Sequence, residues 1–289
     1  MIWSDFVQQE HTICNFSTSE SWVVLSPIEQ SIKQKIEAVG TPLKDWDINI
    51  YRGVLTGYND AFIISTEKRD EILANCATED ERTRTAELIR PILRGRDIKR
   101  YGYEWAGLWL INTHNGIKGK LERIHIEDYP AVKAHLDLYW DKISKRADKG
   151  ETPYNLRNCA YLEDFSKQQI VWIELSDEPK FALAENMTSV NTVFFLTGEH
   201  VLHLLGILNS HLITWYFRHC IGTTSGVGTN RWLKYTIEQI PIVSVDENLE
   251  KLVLCISNNY SDCLNSEIDK LICQLYNLSA EETDFINGQ

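Results

Sequence analysis

The chain has 289 residues, a formal net charge of −12 at pH 7, and 43% hydrophobic residues. This length and composition are typical of one large globular domain or two smaller ones. So acidic a protein is a poor non-specific binder of polyanions. No apolar run reaches the roughly 18 residues that a membrane span needs, and the N-terminus lacks the basic and apolar regions of a secretory signal.

The seven cysteines are scattered along the chain, and none forms a Cys-x-x-Cys pair. This distribution is typical of reduced thiols that are mostly buried as small apolar side chains. Together with the missing secretory signal, it predicts a cytoplasmic protein.

The first segment in chain order is an N-terminal helical and linker region, residues 1–42. Ser26 is suited to cap a helix that has Pro27 at its first position. The helix is expected to run to about residue 39 and to end at Gly40, after which Pro42 prevents its continuation.

Residues 43–243 form the predicted main domain, with a mixed α/β (α+β) fold in which helices flank a twisted central sheet. Alternating or β-rich runs predict strands over residues 48–55, 61–65, 107–112, 170–175 and 193–196. Charged or amphipathic patterns predict helices over residues 67–90, 127–147 and 201–217.

Residues 244–289 are predicted to be an acidic helical C-terminal extension. Between positions 246 and 284 the extension has nine acidic residues against two lysines. Much of the net negative charge therefore lies here, and we expect the extension to pack on the domain or to meet a protein partner.

Basic clusters stand out against this acidic background. Residues 84–100 carry six positive charges against two negative ones, with the turn former Gly95 among them. A second cluster spans residues 142–157, and a third brackets the glycine-rich loop 222–230. One such cluster is more often a solvated face, but three clusters beside loops rich in Gly, Asn, Thr or Tyr predict a recognition surface.

Catalytic machinery is not evident in the sequence. An adenine methyltransferase needs a glycine-rich loop after its first strand and a Pro-Pro-aromatic element, and neither is present. His200 and His203 are expected to be exposed helix histidines rather than metal ligands. Asp164, Glu178 and Lys180 leave open a metal-dependent nuclease, although Pro179 is a poor residue between two ligands on a strand.

Five segments in order carry a resemblance to a known family: residues 49–62, 89–101, 145–157, 204–210 and 237–241. The series resembles the TaqI-like C-terminal specificity domain, the target-recognition part of restriction-modification enzymes that methylate adenine. The resemblance extends from about residue 20 to the end of the chain.

The resemblance implies sequence-specific recognition of double-stranded DNA by a chain that is not itself an enzyme. It also implies a methyltransferase or endonuclease module, in cis or in trans, and S-adenosylmethionine as the cofactor of that module. A protein-interaction module whose basic loops bind an acidic partner is the alternative, and the metal-dependent nuclease is a further one.

Loop position and side-chain type select the candidate site residues. The candidates for phosphate contact are Arg94, Arg96, Lys99, Arg100, Lys145 and Arg146. The candidates for base readout are Tyr58, Asn59, Tyr154, Asn155, Arg157, Asn230 and Arg231. No catalytic or metal-binding residue is assigned.

Some of these residues also fit structural roles. Tyr58 fits a core position with a satisfied hydroxyl, and Asp97 fits either a cap for the segment at Ile98 or a pair with Arg94. Glycines at positions 53, 57 and 95 fit backbone turns.

Overall fold

The computed structural model describes residues 25–225 and 229–288, with side chains left undescribed at 223–229. Cys14, the Gly226–Gly228 part of the glycine-rich loop and the first part of the predicted segment 1–42 lie outside the described residues. No helix in the described ranges is long and apolar enough to span a bilayer.

Helices are distributed along the whole described chain. They are α1 (Pro27–Val39), α2 (Asn59–Phe62), α3 (Thr66–Ala74), α4 (Glu79–Leu88), α5 (Pro130–Asp137), α6 (Trp140–Ile143), α7 (Val201–Asn209), α8 (His211–Tyr216), α9 (Lys234–Ile237), α10 (Glu247–Asn258), α11 (Asp262–Leu275) and α12 (Ala280–Asn287). Short 3-10 turns occur at Leu43–Asp45, Gly95–Asp97, Ile126–Asp128 and Leu162–Ser166, and a π turn at Phe217–Ile221.

Strands are short and mostly antiparallel. They are β1 (Thr41–Pro42), β2 (Ile48–Arg52), β3 (Ile63–Ser65), β4 (Ile89–Leu93), β5 (Leu108–Ile111), β6 (Gln168–Ile173), β7 (Leu175–Ser176), β8 (Ala182–Glu185), β9 (Thr188–Ser189), β10 (Val193–Gly198), β11 (Thr223–Ser225), β12 (Thr229–Arg231) and β13 (Pro241–Ile242). The predicted mixed α+β class and the helical C-terminal extension are confirmed.

The described chain divides into two compact units. The sheet unit comprises residues 48–174 and 180–201, and the helical unit comprises the other described residues. The domain boundaries predicted from the sequence, at residues 42 and 243, stay a prediction.

The sheet unit contains two four-stranded sheets, in the orders β2-β10-β6-β8 and β3-β5-β4-β9. In the first sheet Phe195 of β10 lies opposite Tyr51 on one side and Val171 on the other. The Phe195 ring also packs 4.6 Å from that of Phe165, centroid to centroid. Each such buried aromatic or aliphatic side chain contributes about 1.5–3 kcal/mol, so this core holds the two sheets as the scaffold of the unit.

The helical unit is organised around the apolar helix α7. A Cβ on Gly206 would lie 2.7 Å from a methyl carbon of Val253, so α10 packs closely on α7 at this position. The buried hydroxyl of Tyr276 donates to the Pro241 carbonyl at 2.7 Å and accepts from the Val243 amide at 3.1 Å. The acidic extension therefore packs within this unit through its apolar faces.

The first predicted helix is confirmed in both bounds. Ser26 and Glu29 form a reciprocal capping box, and Gly40 follows the last helical residue. Because both ends are set by neighbouring residues, local sequence was sufficient to place them.

Two predicted helices are interrupted by new N-caps. Within 67–90 the Thr78 hydroxyl accepts from the Glu81 amide at 3.1 Å and starts a second helix, and strand β4 begins at Ile89. Within 201–217 the Ser210 hydroxyl accepts from the Ile213 amide at 3.1 Å. The single-helix predictions were therefore wrong at these caps.

Other local predictions also differ from the structure. The predicted helix 127–147 is only α5 and α6, beginning at Pro130 and interrupted after Asp137. The predicted strand 61–65 is helical as far as Phe62. Burial of cysteines is wrong for most: of the six described, only Cys273 is buried, whereas Cys76, Cys159 and Cys220 are half-buried and Cys255 and Cys263 are exposed.

One histidine expectation is wrong. His203 is fully buried, stacks 5.9 Å from the Trp46 ring and holds Nε2 3.0 Å from the Val243 carbonyl oxygen. Apolar residues surround it on α7, so the helix face that carries it is the core face.

Candidate nucleic-acid interface

The basic segment 84–100 is built around a tight turn at the end of β4. Asp97 is 4% exposed, and its carboxylate accepts from the Arg94 backbone amide at 2.9 Å, from Nη2 at 2.8 Å and from Nε at 3.2 Å. Of the two roles foreseen for Asp97, the pair with Arg94 is therefore confirmed. Arg94 shapes the turn, and part of its charge is compensated there.

Arg96 occupies the outer side of this turn. It is exposed and forms no ion pair with any described residue. A Cβ on the preceding Gly95 would lie 2.8 Å from a methyl carbon of Ile173, so the turn rests directly on strand β6. The close approach places a rigid backbone under a freely solvated guanidinium.

An open cleft of about 550 Å³ in the sheet unit begins at this turn. Its apolar lining includes Ile63 and Leu108. The polar and charged lining residues are Asn59, Asp60, Arg94, Arg96, Asn191 and Thr192. The cleft therefore combines cationic, anionic and amide groups on one surface.

The amide of Asn59 has a defined orientation. The Thr56 hydroxyl donates to its Oδ1 at 2.5 Å, which leaves the Nδ2 donors for another partner. Burial and the neighbouring Asp60 carboxylate raise the pKa of Tyr58, and its ring packs partly against the core beside Tyr139. Tyr58 thus supports the wall that carries Asn59.

Asn191 and Thr192 reach the cleft from the turn between β9 and β10. Asn191 is half-buried and Thr192 is exposed, and neither side chain hydrogen-bonds to a described residue. Sequence reasoning missed both residues and also Asp60. The only local signal was an Asn-Thr pair between two short β-rich runs.

The second basic cluster contains three candidate residues that differ in how they bond to their neighbours: Lys145, Tyr154 and Arg157. Lys145 is exposed, and Arg157 is 62% exposed with Nη1 3.4 Å from an Asp148 oxygen. The Tyr154 hydroxyl donates to Asp137 at 2.5 Å, and its ring packs beside Trp140. Two cations of this cluster therefore face solvent while the tyrosine is held.

Arg146 and Asn155 are buried, at 7% and 1% exposure. The guanidinium donates to four backbone carbonyls, and the Asn155 amide donates to the Ile124 carbonyl at 2.9 Å. Direct contact of either side chain with DNA would require the surrounding loops to open.

Four remaining candidates are spread over both units. Lys99 lies 3.5 Å from Glu104, and the Arg100 guanidinium lies 5.6 Å from the ring centroid of Tyr101. Asn230 and Arg231 belong to β12 of the helical unit. The buried Asn230 amide donates to the Asp177 carbonyl at 3.3 Å, and Arg231 is half-buried.

The structure thus brings three predicted residues into one cleft, Asn59, Arg94 and Arg96. The contact of each predicted residue with DNA stays a prediction. Within the described ranges no group of three metal-ligating side chains is present. Asp164, one of the three nuclease candidates, pairs with Lys167 at 2.6 Å.

Residues 90–242 match the family described as the TaqI-like C-terminal specificity domain. The matched range contains the turn that carries Arg94 and Arg96, and it also contains the cleft residues Asn191 and Thr192. The cleft residues Asn59 and Asp60 precede the matched range.

Two solved structures share the fold. The type IIL restriction-modification enzyme MmeI, in complex with DNA, aligns with a TM-score of 0.58 at 13% identity, over 86% of this chain and 37% of MmeI. The type IIG restriction endonuclease BpuSI aligns with a TM-score of 0.53 at 15% identity, over 86% of this chain and 32% of BpuSI. This chain therefore spans about a third of the length of either enzyme.

Proposed function

This chain belongs to the TaqI-like C-terminal specificity domain family, and from that premise we propose that it recognises a specific sequence in double-stranded DNA. The cleft beside the basic turn is the observation that carries the proposal. It combines an exposed arginine with amide and carboxylate groups on a rigid support, which is the mixture that base readout needs.

Each polar group in the cleft has a chemistry that suits a base edge. Arg96 can bind the O6 and N7 acceptors of guanine, or a phosphate, with two parallel hydrogen bonds. The Asn59 amide donors match acceptors, and the Asp60 carboxylate accepts from the amino group of cytosine or adenine. Asn191 can both donate and accept, as adenine recognition requires.

The distribution of charge supports specific rather than general binding. Exposed cations such as Lys145 are proposed to contact phosphates, which sets the register of the protein without reading sequence. Asp60 and the acidic C-terminal extension oppose indiscriminate attachment to a polyanion. The cognate sequence must therefore compensate for this repulsion through base contacts.

A catalytic module is proposed to complete the enzyme, either in the same polypeptide or as a separate chain. We propose that it is an adenine methyltransferase, with or without endonuclease activity, that uses S-adenosylmethionine. The residues of this chain do not fit that cofactor, because its one Gly-x-Gly, Gly226-Val-Gly228, lies late in the chain between strands β11 and β12 and does not follow a first strand.

The decisive experiment is selection from a randomised duplex pool with the purified chain, followed by sequencing, at about 50 and 200 mM salt. We expect enrichment of one short word. Arg96→Ala is expected to weaken binding to that word by about 1–3 kcal/mol, or roughly 5- to 150-fold. Lys251→Ala, in the acidic extension, is the matched control and should bind as the unmodified chain does.

Two outcomes would contradict the proposal. Retention of duplex without any enriched word would indicate electrostatic attachment alone. An absence of retention at low salt, together with capture of an acidic polypeptide, would favour the partner-binding alternative.

A further inference from the structure

Arg146 is a buried cation that is surrounded by backbone carbonyls. Its Nη1 donates to the carbonyls of Thr56 and Asp148, and its Nη2 donates to those of Pro153 and Asn155. The distance is 2.8 Å to the Asp148 oxygen and 2.5 Å to the Asn155 oxygen. Burial lowers the pKa of Arg146 to about 10, which leaves the guanidinium charged at neutral pH.

The four carbonyls belong to two different loops. Thr56 lies in the loop that enters α2, and the other three acceptors lie in the loop of residues 147–157. A Cβ on Gly57, which has a φ of +70°, would lie 2.7 Å from the Asp148 carbonyl oxygen. The two loops therefore touch, and the planar guanidinium fixes their spacing and their mutual direction.

The Thr56 loop leads directly to the cleft. The carbonyl of Thr56 accepts from Arg146, while its hydroxyl donates to the Oδ1 of Asn59 at 2.5 Å. One residue thus links the buried guanidinium to an amide that lines the cleft. A displacement of this loop would turn the donors of Asn59 away from their present direction.

The loop of residues 147–157 extends the arrangement to a third loop. The Asn155 amide donates to the Ile124 carbonyl at 2.9 Å, and the Thr113 hydroxyl donates to the Tyr154 carbonyl at 2.7 Å. In addition, the Leu156 amide donates to the Thr113 carbonyl at 2.8 Å. Three loops are therefore joined through Arg146 and Asn155.

Burial of a charge at this position carries a desolvation free energy that opposes folding, and apolar side chains of similar size stabilise a core at least as well. A guanidinium differs from an apolar side chain because its N–H donors lie in one plane and point in fixed directions. Its hydrogen bonds therefore fix the positions of all four carbonyls relative to that plane. The Arg146 guanidinium also lies 4.4 Å from the Phe62 ring centroid, which fixes its own orientation.

We propose that Arg146 is a positioning residue for sequence discrimination: it holds the Thr56 loop against the loop of residues 147–157 and so directs Asn59 toward the DNA base. The inference rests on the proposed function. It differs from a phosphate contact by Arg146, because a positioning residue changes the preference for the cognate word without changing the number of counterions released.

The test compares Arg146→Lys with the unmodified 289-residue chain. Lysine keeps the charge but lacks the planar fork. Affinities for the selected word and for a shuffled duplex are measured over a range of salt concentrations, at a temperature at which circular dichroism shows both proteins folded. We expect the ratio of the two affinities to fall about tenfold or more, and the salt dependence to stay unchanged.

Lys145→Ala is the matched control at the neighbouring exposed position. It is expected to weaken both duplexes equally and leave the ratio unchanged. For Arg146→Lys, an unchanged affinity ratio would overturn the proposal. A salt slope that falls by about one with an unchanged ratio would instead indicate a direct phosphate contact.

A second variant covers the case in which Arg146→Lys does not fold. Thr56→Val removes the hydroxyl that orients Asn59 while preserving the shape of the side chain, and it should lower the same affinity ratio. An unchanged ratio would overturn the proposal.

If the unmodified chain shows no sequence preference, the proposed function itself fails. Hydrogen exchange then still tests the positioning role, because amides of the Thr56 loop should exchange faster in Arg146→Lys. Equal exchange rates would overturn it.

Discussion

The carboxylate of Glu282 joins the last helix to the first, and its removal is expected to destabilise the helical unit. Glu282 is 5% exposed. It accepts hydrogen bonds from the Ser31 hydroxyl, the Lys35 ammonium and the Ser279 backbone amide, each at 2.6 Å. Glu282→Gln keeps the size of the side chain but removes the charge that all three donors share.

The magnitude follows from the ionisation of this group. Burial alone would raise the pKa of Glu282, but the hydrogen bonds from Lys35, Ser31 and Ser279 outweigh it and lower the pKa to about 2. A shift of that size corresponds to at most about 3 kcal/mol of differential stabilisation. Because the Lys35 side chain is 34% exposed, water screens part of the attraction. We therefore expect a loss of about 1–2 kcal/mol at pH 7.

The effect has a definite pH dependence. The folded-state pKa of Glu282 lies below its ordinary value, so the contribution to stability is fully present above about pH 4.5. It declines as pH falls toward 2, where the carboxyl of the folded state is half protonated, and it is lost below that pH. The stability difference between the unmodified protein and Glu282→Gln should shrink over this same interval.

Urea denaturation followed by circular dichroism, at several pH values between 7 and 3, measures this difference. Hydrogen exchange of amides in α1 and α12 shows whether the loss of stability arises in these two helices. Glu71→Gln, which breaks the exposed pair with Lys68, should cost less than about 0.5 kcal/mol. A Glu282→Gln difference that is equally small, or that stays constant down to pH 3, would refute the reasoning.

Two further predictions concern the sheet unit. Gly53→Ala should lower the free energy of unfolding, measured by urea denaturation, by about 2–3 kcal/mol, because a Cβ there would overlap the backbone carbonyl of Ser189. Gly288→Ala should leave the free energy of unfolding nearly unchanged. Equal effects of the two substitutions would contradict this argument. Asp60→Asn should raise the affinity for shuffled duplexes and reduce the difference in binding free energy between the selected word and a shuffled duplex by about 1–3 kcal/mol. A binding titration measures both affinities, and Asp80→Asn is the control that should leave them unchanged. Unaltered discrimination would exclude Asp60 from base readout.

Local features of the fold were predictable where neighbouring residues decide them. The capping box of Ser26 and Glu29 and the glycine at position 40 determine both ends of α1 within a few residues. The pair of Arg94 with Asp97 spans three residues and was likewise foreseen. Internal breaks at Thr78 and Ser210 were not foreseen, because a Ser or Thr side chain acts as a cap only when the following helix has another surface to pack on.

The assignment to a specificity domain also came from the sequence, since five ordered segments carry the resemblance, and the match over residues 90–242 confirms it. The candidate site was only partly predictable. Asn59 and Arg96 were selected by residue type and loop position, whereas Asn191 and Thr192 had no motif to mark them. Their approach to the cleft depends on the pairing of β9 and β10 with strands distant in sequence.

The sequence by itself determined the family, the mixed fold class, both ends of α1 and the basic turn, because each depends on local chemistry or on the order of motifs along the chain. Tertiary structure alone decided which cations face solvent. Lys145 and Arg146 are adjacent and equally charged, yet one is exposed and the other is buried among four carbonyls. Three of these carbonyls lie within nine residues of Arg146, but the fourth, that of Thr56, lies 90 residues away, and no local pattern encodes that contact.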